Sequence, residues 1–224
     1  VSTVDYEEGL YFGYRYYETV YADGGTFTVE GEGGKSYEEA VVYPFGYGLN
    51  YGSFEQSIKN VEEKDGVINV TVTVKNTQPE GGYAGKDVVQ LYYSAPYTPG
   101  GIEKSALVLA AFDKTEMLEP GQECEVVLTI RDEDMASYDY SGSGCYVLEA
   151  GDYVLSVRKN AHELYGDNCE YTVKVADTKI YNDANPRNAE KEAQTGQFVN
   201  ISDEAKASHT VEAAVNRFQN FSDR

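Results

Sequence analysis

Gly66-Val67-Ile68-Asn69-Val70-Thr71-Val72-Thr73-Val74-Lys75-Asn76 is the stretch that decides the fold. Ile68, Val70, Val72 and Val74 alternate with Asn69, Thr71, Thr73 and Lys75. A period of two places every apolar side chain on one face of an extended chain. One face in the core and one in water is the mark of a half-buried antiparallel strand.

The same alternation recurs downstream. Val89, Leu91 and Tyr93 repeat it, as do Cys124, Val126, Leu128 and Ile130, then Tyr153, Leu155 and Val157, and finally Cys169, Tyr171, Val173 and Val175. Turn signals separate these runs: Glu80-Gly81-Gly82, Thr98-Pro99-Gly100-Gly101, Glu119-Pro120-Gly121 and Ala150-Gly151-Asp152. About seven or eight strands over roughly 120 residues, with no helical period between them, predict a mostly β fold. A single sheet would leave its apolar face wet, so two sheets close on each other. The expected architecture is an immunoglobulin or fibronectin type III-like antiparallel β-sandwich over residues 52–176. The Cys…Trp…Cys pattern of a true immunoglobulin domain is absent, since the chain has no tryptophan.

Upstream the texture differs. Tyrosines crowd the first residues, at Tyr6, Tyr11, Tyr14, Tyr16, Tyr17, Tyr21, Tyr37, Tyr43, Tyr47 and Tyr51. Tyr11-Phe12-Gly13-Tyr14-Arg15-Tyr16-Tyr17 reads as a strand with aromatics on both faces, Ala22-Asp23-Gly24-Gly25 as a turn, and Thr26-Phe27-Thr28-Val29 as a short strand. In Tyr43-Pro44-Phe45-Gly46-Tyr47-Gly48-Leu49-Asn50-Tyr51 aromatics interleave with glycines, which suits a chain crossing from one domain to the next. This aromatic arm, residues 1–51, is expected to pack against protein outside the chain.

Downstream, residues 177–201 read as a polar linker, with Asn182, Asp183, Asn185, Pro186, Arg187 and Asn188 close together. Ser202 then caps a short helix carrying Asp203 and Glu204 in its first turn. Val211, Ala214, Val215 and Phe218 make one apolar stripe on it.

Composition limits the partners. With 38 acidic against 18 basic residues the formal net charge is −20, which argues against nucleic acid or an anionic membrane surface. Acidity of this kind reads first as solubility. No apolar run approaches the roughly 18 residues of a membrane span. Val1-Ser2-Thr3-Val4-Asp5 shows no initiator Met, basic run or apolar stretch, so no signal peptide is read there, and the chain is expected to be a fragment. Cys124, Cys145 and Cys169 form no C-x-x-C pair and predict neither a disulfide framework nor a zinc site. Cys124 and Cys169 read as small buried apolar groups, and reduced thiols point to the cytoplasm, with secretion the alternative.

Chemistry-bearing motifs are sparse. His162 and His209 lack metal-ligand spacing, and no nucleophile elbow, P-loop or dinucleotide fingerprint occurs. Gly31-x-Gly33 lies between strands and reads as a hairpin turn. Glycosidases need two carboxyl groups about 5–10 Å apart, but no motif marks such a pair here. Glu62-Glu63 and Asp132-Glu133-Asp134 read as solvated turns. Sequons occur at Asn69, Asn200 and Asn220 and are short enough to arise by chance. Tyr92, Tyr93, Tyr97 and Tyr138 are the candidates for a sugar-stacking surface, the alternative being that they cover core. No catalytic, metal-binding or cofactor-binding residue is assigned, and no cofactor is expected.

Taken together the motifs resemble glycoside hydrolase family 3. Tyr6-Glu7-Glu8-Gly9-Leu10-Tyr11-Phe12-Gly13-Tyr14-Arg15-Tyr16-Tyr17-Glu18 is similar to the segment closing that family's α/β sandwich domain. The Tyr43–Tyr51 run resembles its crossing into a fibronectin type III-like domain, with Asn50 where serine is usual. Residues 70–77 with 84–96, then Leu118–Gln122, Met135–Asp139 and Glu149–Tyr153 resemble successive pieces of that domain.

The resemblance implies a fragment of a β-glucosidase-like enzyme that releases terminal β-linked sugars with retention. It implies an aspartate nucleophile on a β/α barrel and an acid/base glutamate on the α/β sandwich domain. Ser202-Asp203 and Ser222-Asp223 depart from the family's Ser-Asp-Trp, and its Lys-His-Phe motif is missing, so no catalytic residue carries over. Val215-Asn216-Arg217-Phe218-Gln219-Asn220-Phe221 resembles the bridge to a following barrel in members with rearranged order. The implied partners are the missing α/β sandwich and β/α barrel domains, and a β-glucoside is substrate of the parent only. A stand-alone carbohydrate- or protein-binding module is the alternative.

Overall fold

The computed structural model describes residues 9–188. The helix expected near Ser202, with His209, Asn200 and Asn220, lies outside the described residues.

The chain opens with helix α1 (Tyr14–Ala22), the hairpin β1 (Phe27–Val29) and β2 (Glu32–Lys35), and the short helix α2 (Tyr37–Ala40). Strands β3 (Phe54–Lys64), β4 (Val67–Asn76), β5 (Val88–Ser94), β6 (Val108–Lys114) and β7 (Glu123–Arg131) follow. A 3-10 turn, Asp132–Met135, leads to β8 (Ser137–Tyr138), β9 (Tyr146–Leu148), β10 (Gly151–Arg158), β11 (Glu170–Val175) and β12 (Lys179–Tyr181).

Two antiparallel sheets make the sandwich. One runs β11-β10-β5-β6 and the other β3-β4-β7. The alternation read in the sequence points inward: Val70, Val72 and Val74 of β4, Val89 and Leu91 of β5, and Tyr153, Leu155 and Val157 of β10 have no solvent exposure. Val126, Leu128 and Ile130 of β7 close the same core. Fully burying one such side chain is worth about 1.5–3 kcal/mol relative to leaving it in water, so this core dominates stability. Tyr171 departs from the pattern: it stands exposed and donates to Glu63 across to β3 (3.0 Å).

The aromatic run expected as a strand is a helix from Tyr14 onward. Tyr14, Glu18 and Tyr21 recur at helical spacing on one face, toward the sandwich, while Tyr16, Tyr17 and Val20 turn to Phe27 of the hairpin. The strand preference of tyrosine yields here to tertiary packing. The expected turn follows the end of α1 at Asp23 and Gly24, and Glu30-Gly31 closes the hairpin at positive φ (51° and 86°). Ser36 opens α2 with a capping box, accepting from the Glu39 amide while Glu39 accepts from the Ser36 amide.

The polar run after residue 177 is not wholly irregular. β12 pairs with β9 in a small sheet ordered β12-β9-β8, and Tyr181 is buried against the core.

Candidate functional site

The chemistry of the described chain concentrates where the arm meets the sandwich. The outer face of β5 presents Gln90 and Tyr92, which open solvent would otherwise cover. Instead Tyr14 of α1 lies edge-on to Tyr92 (6.4 Å between ring centres) and stacks on Phe45 (4.4 Å). The Leu109 amide donates to the Tyr14 hydroxyl (2.9 Å), and the Ala106 amide to Thr19 Oγ1 (2.8 Å). Tyr92 donates to Gln90 Oε1 (2.8 Å), leaving the Gln90 amide to donate to Gly46 O and Lys159 O. Desolvation holds the Tyr92 phenol well above its ordinary pKa.

Any other residue at Gly46 would be strained and would displace Gln90. The φ of Gly46 is +81°, and a Cβ would sit 2.1 Å from Gln90 Oε1.

A second knot joins α1, α2 and the loop after β10. Tyr37 donates to Glu18 Oε1 (2.5 Å), and His162 Nδ1 lies 3.1 Å from Glu18 Oε2. The Tyr37 and His162 rings stack at 3.8 Å, and Tyr21 meets His162 edge-on at 4.5 Å. Asn160 Oδ1 accepts from the His162 and Glu163 amides, and Arg158 donates to His162 O (2.9 Å). Burial first, then the bond to Glu18, pushes the Tyr37 phenol far above its ordinary range.

This arrangement joins three elements of the chain. Glu18 is 5 % exposed and fully engaged. A shallow groove of about 350 Å³ on the hairpin is lined by Val29, Glu30, Glu32, Lys35 and Glu39. There Lys35 pairs with Glu32 at 2.8 Å.

The exposed counterpart is the segment expected from its sequence to be the crossing. Val42, Tyr43, Phe45, Tyr47, Leu49 and Tyr51 all stand in solvent, Leu49 and Tyr51 at 89 % and 93 %. It is nonetheless anchored: the Ala161 amide donates to Phe45 O (2.8 Å), Gln90 Nε2 to Gly46 O (3.0 Å), and the Asn50 side chain donates from Nδ2 to Lys86 O (3.0 Å). No charged residue occurs from Val41 to Phe54.

The other sequence candidates disperse. Tyr92 and Tyr93 point to opposite faces of β5, one beneath the arm and one in the sandwich core. Tyr97 is half-buried, with its hydroxyl on Glu103 (3.1 Å), and Tyr138 is exposed beside Tyr146. These four tyrosines therefore form no common stacking surface. Asp132-Glu133-Asp134 is not a wholly solvated turn: Glu133 is 5 % exposed and holds Asn188. Glu62 and Glu63 are exposed. Asn69 accepts from the Thr129 hydroxyl (2.7 Å).

Cys169 is buried and donates to Gln56 O (3.2 Å), whereas Cys124 is half-buried, and desolvation raises both thiols. Cys145 is half-buried next to Ser143. Among the described residues no His, Cys, Asp and Glu groups are placed to hold a metal ion, and no helix is long and apolar enough to cross a membrane.

Sequence reasoning passed over Glu18, Gln90 and Asn160. The helical recurrence of Tyr14, Glu18 and Tyr21 was the available signal for the first of them.

Two packed antiparallel sheets of four and three strands define a fibronectin type III-like sandwich, and residues 87–161 match the family described as the fibronectin type III-like domain. β-Glucosidase A of Butyrivibrio fibrisolvens is 39 % identical over 168 residues, covering 67 % of this chain and 18 % of that protein. The solved β-glucosidase 3B of Thermotoga neapolitana in complex with α-D-glucose superposes with a TM-score of 0.60 at 35 % identity, over 79 % of this chain and 21 % of that one. A β-glucosidase from Paenibacillus barengoltzii gives 0.62 at 36 % identity, over 78 % and 18 %. The chain belongs to glycoside hydrolase family 3, of which it holds the fibronectin type III-like region and the segment preceding it. It spans about a fifth or less of the length of these relatives.

Proposed function

We propose that this region is a non-catalytic brace within a β-glucosidase-like enzyme that hydrolyses terminal β-linked sugars with retention. Residues 1–51 end the α/β sandwich domain and cross over, 52–176 form the fibronectin type III-like domain, and 177–224 lead to a following β/α barrel. The observation that carries the reading is the crossing segment: apolar, uncharged, exposed, and yet hydrogen-bonded to the sandwich. An exposed apolar patch of this kind marks an interaction site. Two copies of a chain at −20 repel each other, which favours the parent's own remaining domains as the occupant.

Two measurements test it. The chain alone should not turn over an aryl β-glucoside; measurable hydrolysis that survives repurification defeats the proposal. Leu49→Asp with Tyr51→Ser should leave the isolated chain within about 0.5 kcal/mol of its starting stability. The same pair in the full-length enzyme should lower its Tm and its activity together. Binding of cello-oligosaccharide by the chain alone would favour a stand-alone module instead.

A further inference from the structure

We propose that Glu18 and Glu133, the two buried glutamates among the described residues, are positioning residues that fasten the incoming and outgoing segments of the chain to the sandwich. Each is 5 % exposed, and each reaches across to a segment distant in sequence. Burying a carboxylate is unfavourable unless it is fully partnered. Charge-assisted hydrogen bonds also impose direction, as apolar contacts do not.

Glu18 gathers three elements. From α1 it accepts from Tyr37 of α2 and meets His162 on the loop after β10. The same loop offers the Ala161 amide to Phe45 O, so the knot and the crossing segment hang on one support. Glu133 acts in reverse, from the sandwich onto the departing chain. Its Oε1 and Oε2 lie 2.9 and 3.0 Å from the Asn188 amide nitrogen, and Asn188 Nδ2 donates to Oε2 (3.3 Å). Beside it β12 pairs with β9, and the Arg187 guanidinium lies 3.4 Å from the Tyr146 ring centre.

The two fasteners work at opposite ends of the sandwich. Gln56, early in β3, donates to Asp87 and Val88 where β5 begins, which aligns that end with the loop after β10. Glu133 follows β7 at the far end, where Arg131 pairs with Val67. The sandwich is thus gripped from both ends and sets the direction in which each segment leaves it. The purpose given to these grips rests on the bracing reading; their existence does not.

Hydrogen–deuterium exchange on the whole chain tests the proposal. Glu18→Gln should speed exchange in 14–22 and 37–40 by about tenfold, the scale of one lost charge-assisted bond, and leave 179–188 and the β4 core unchanged. Glu133→Gln should do the same in 179–188 and leave the arm unchanged. His162→Ala and Asn188→Pro, which spare both glutamates, should reproduce the two patterns if the glutamine variants fail to fold. Unchanged exchange in the local segment overturns the proposal, as does equal acceleration of the arm, the exit and the core. The bracing reading fails separately, on turnover by the chain or on an intact full-length enzyme carrying the altered crossing segment.

Discussion

The arm and the sandwich use the same residue type in opposite ways. In the sandwich, Tyr93, Tyr153 and Tyr181 complete a core shared by both sheets. In the arm, Val20, Phe27 and Tyr37 form a small buried apolar cluster, while Tyr43, Tyr47 and Tyr51 face solvent. One region buries enough apolar surface to hold itself together. The other is held by its seat on β5 and β6, and leaves its remaining rings exposed. Richness in aromatic residues therefore does not distinguish a core from an interface; the partner each ring finds does.

Core truncation should separate the two regions most sharply. Leu155 is fully buried between the sheets, and Leu155→Ala should cost about 2–5 kcal/mol, since cavity and transfer terms add. Urea unfolding followed by circular dichroism should show one transition moved to lower concentration, with the arm lost together with the sandwich. Val20→Ala removes two methyl-sized groups from the small cluster, about 1.5 kcal/mol at most. Its effect should appear as faster exchange in the arm, with the main transition nearly unmoved. Reversal of that order would mean that the arm, not the sandwich, carries the fold.

Alkaline pH should act on both regions at once. Burial pushes the Tyr93 and Tyr181 phenols up to about 12, and raises Tyr37, Tyr92, Tyr153 and Tyr165 well beyond the ordinary phenol range. An unfolded phenol ionises near pH ~10, so above that pH the folded state binds more protons than the unfolded one. Stability is then fully present below about pH 10 and declines as pH rises toward the folded values. The urea midpoint should fall between pH 9 and 11.5 (about the span of these shifts), and buried phenolate absorbance should appear only with unfolding. Because exposed tyrosines such as Tyr43, Tyr51 and Tyr83 add to the absorbance, the decisive outcome is the full phenolate signal of every tyrosine while the folded circular dichroism spectrum persists, which would show the buried rings to be open to solvent.

The sandwich was legible in the sequence because its code is local: Ile68 to Val74 alternate, and so do Val89 to Tyr93, with turn residues between. The helix at Tyr14 was less legible because tyrosine favours strands, and only the sandwich beneath α1 decides otherwise. Glu18 carries no motif, since its partner His162 lies 144 residues away. Glu133 looked like part of a solvated acidic turn because its partner Asn188 lies 55 residues further on. Long-range partners of this kind leave no periodic trace. The family was legible in a different way, through several short motifs occurring in one order.

The smallest expected effect concerns a stretch that belongs to neither pattern, the loop from Asp139 to Cys145. Two backbone bonds close it, from the Asp139 amide to Cys145 O (2.9 Å) and from the Gly144 amide to Asp139 O (2.8 Å), and one half-buried carboxylate orders its tip: Asp139 accepts from the Ser143 amide (2.6 Å) and the Gly142 amide (3.0 Å). Those bonds, Ser143 first, hold its pKa below the usual carboxylate range. A depressed value means that the contribution is present above the ordinary carboxylate pKa of about 4 and is lost as pH falls through the folded one. Solvent screening keeps it small. In NMR spectra the Gly142 and Ser143 amides should move toward random-coil positions as pH drops from about 5 to 2, ahead of Val70 and Val72 in the core. Asp139→Asn should produce the same displacement at neutral pH, because an amide offers one acceptor oxygen where the carboxylate offers two. If the core amides move first, the loop takes its order from the sandwich and not from its own charge.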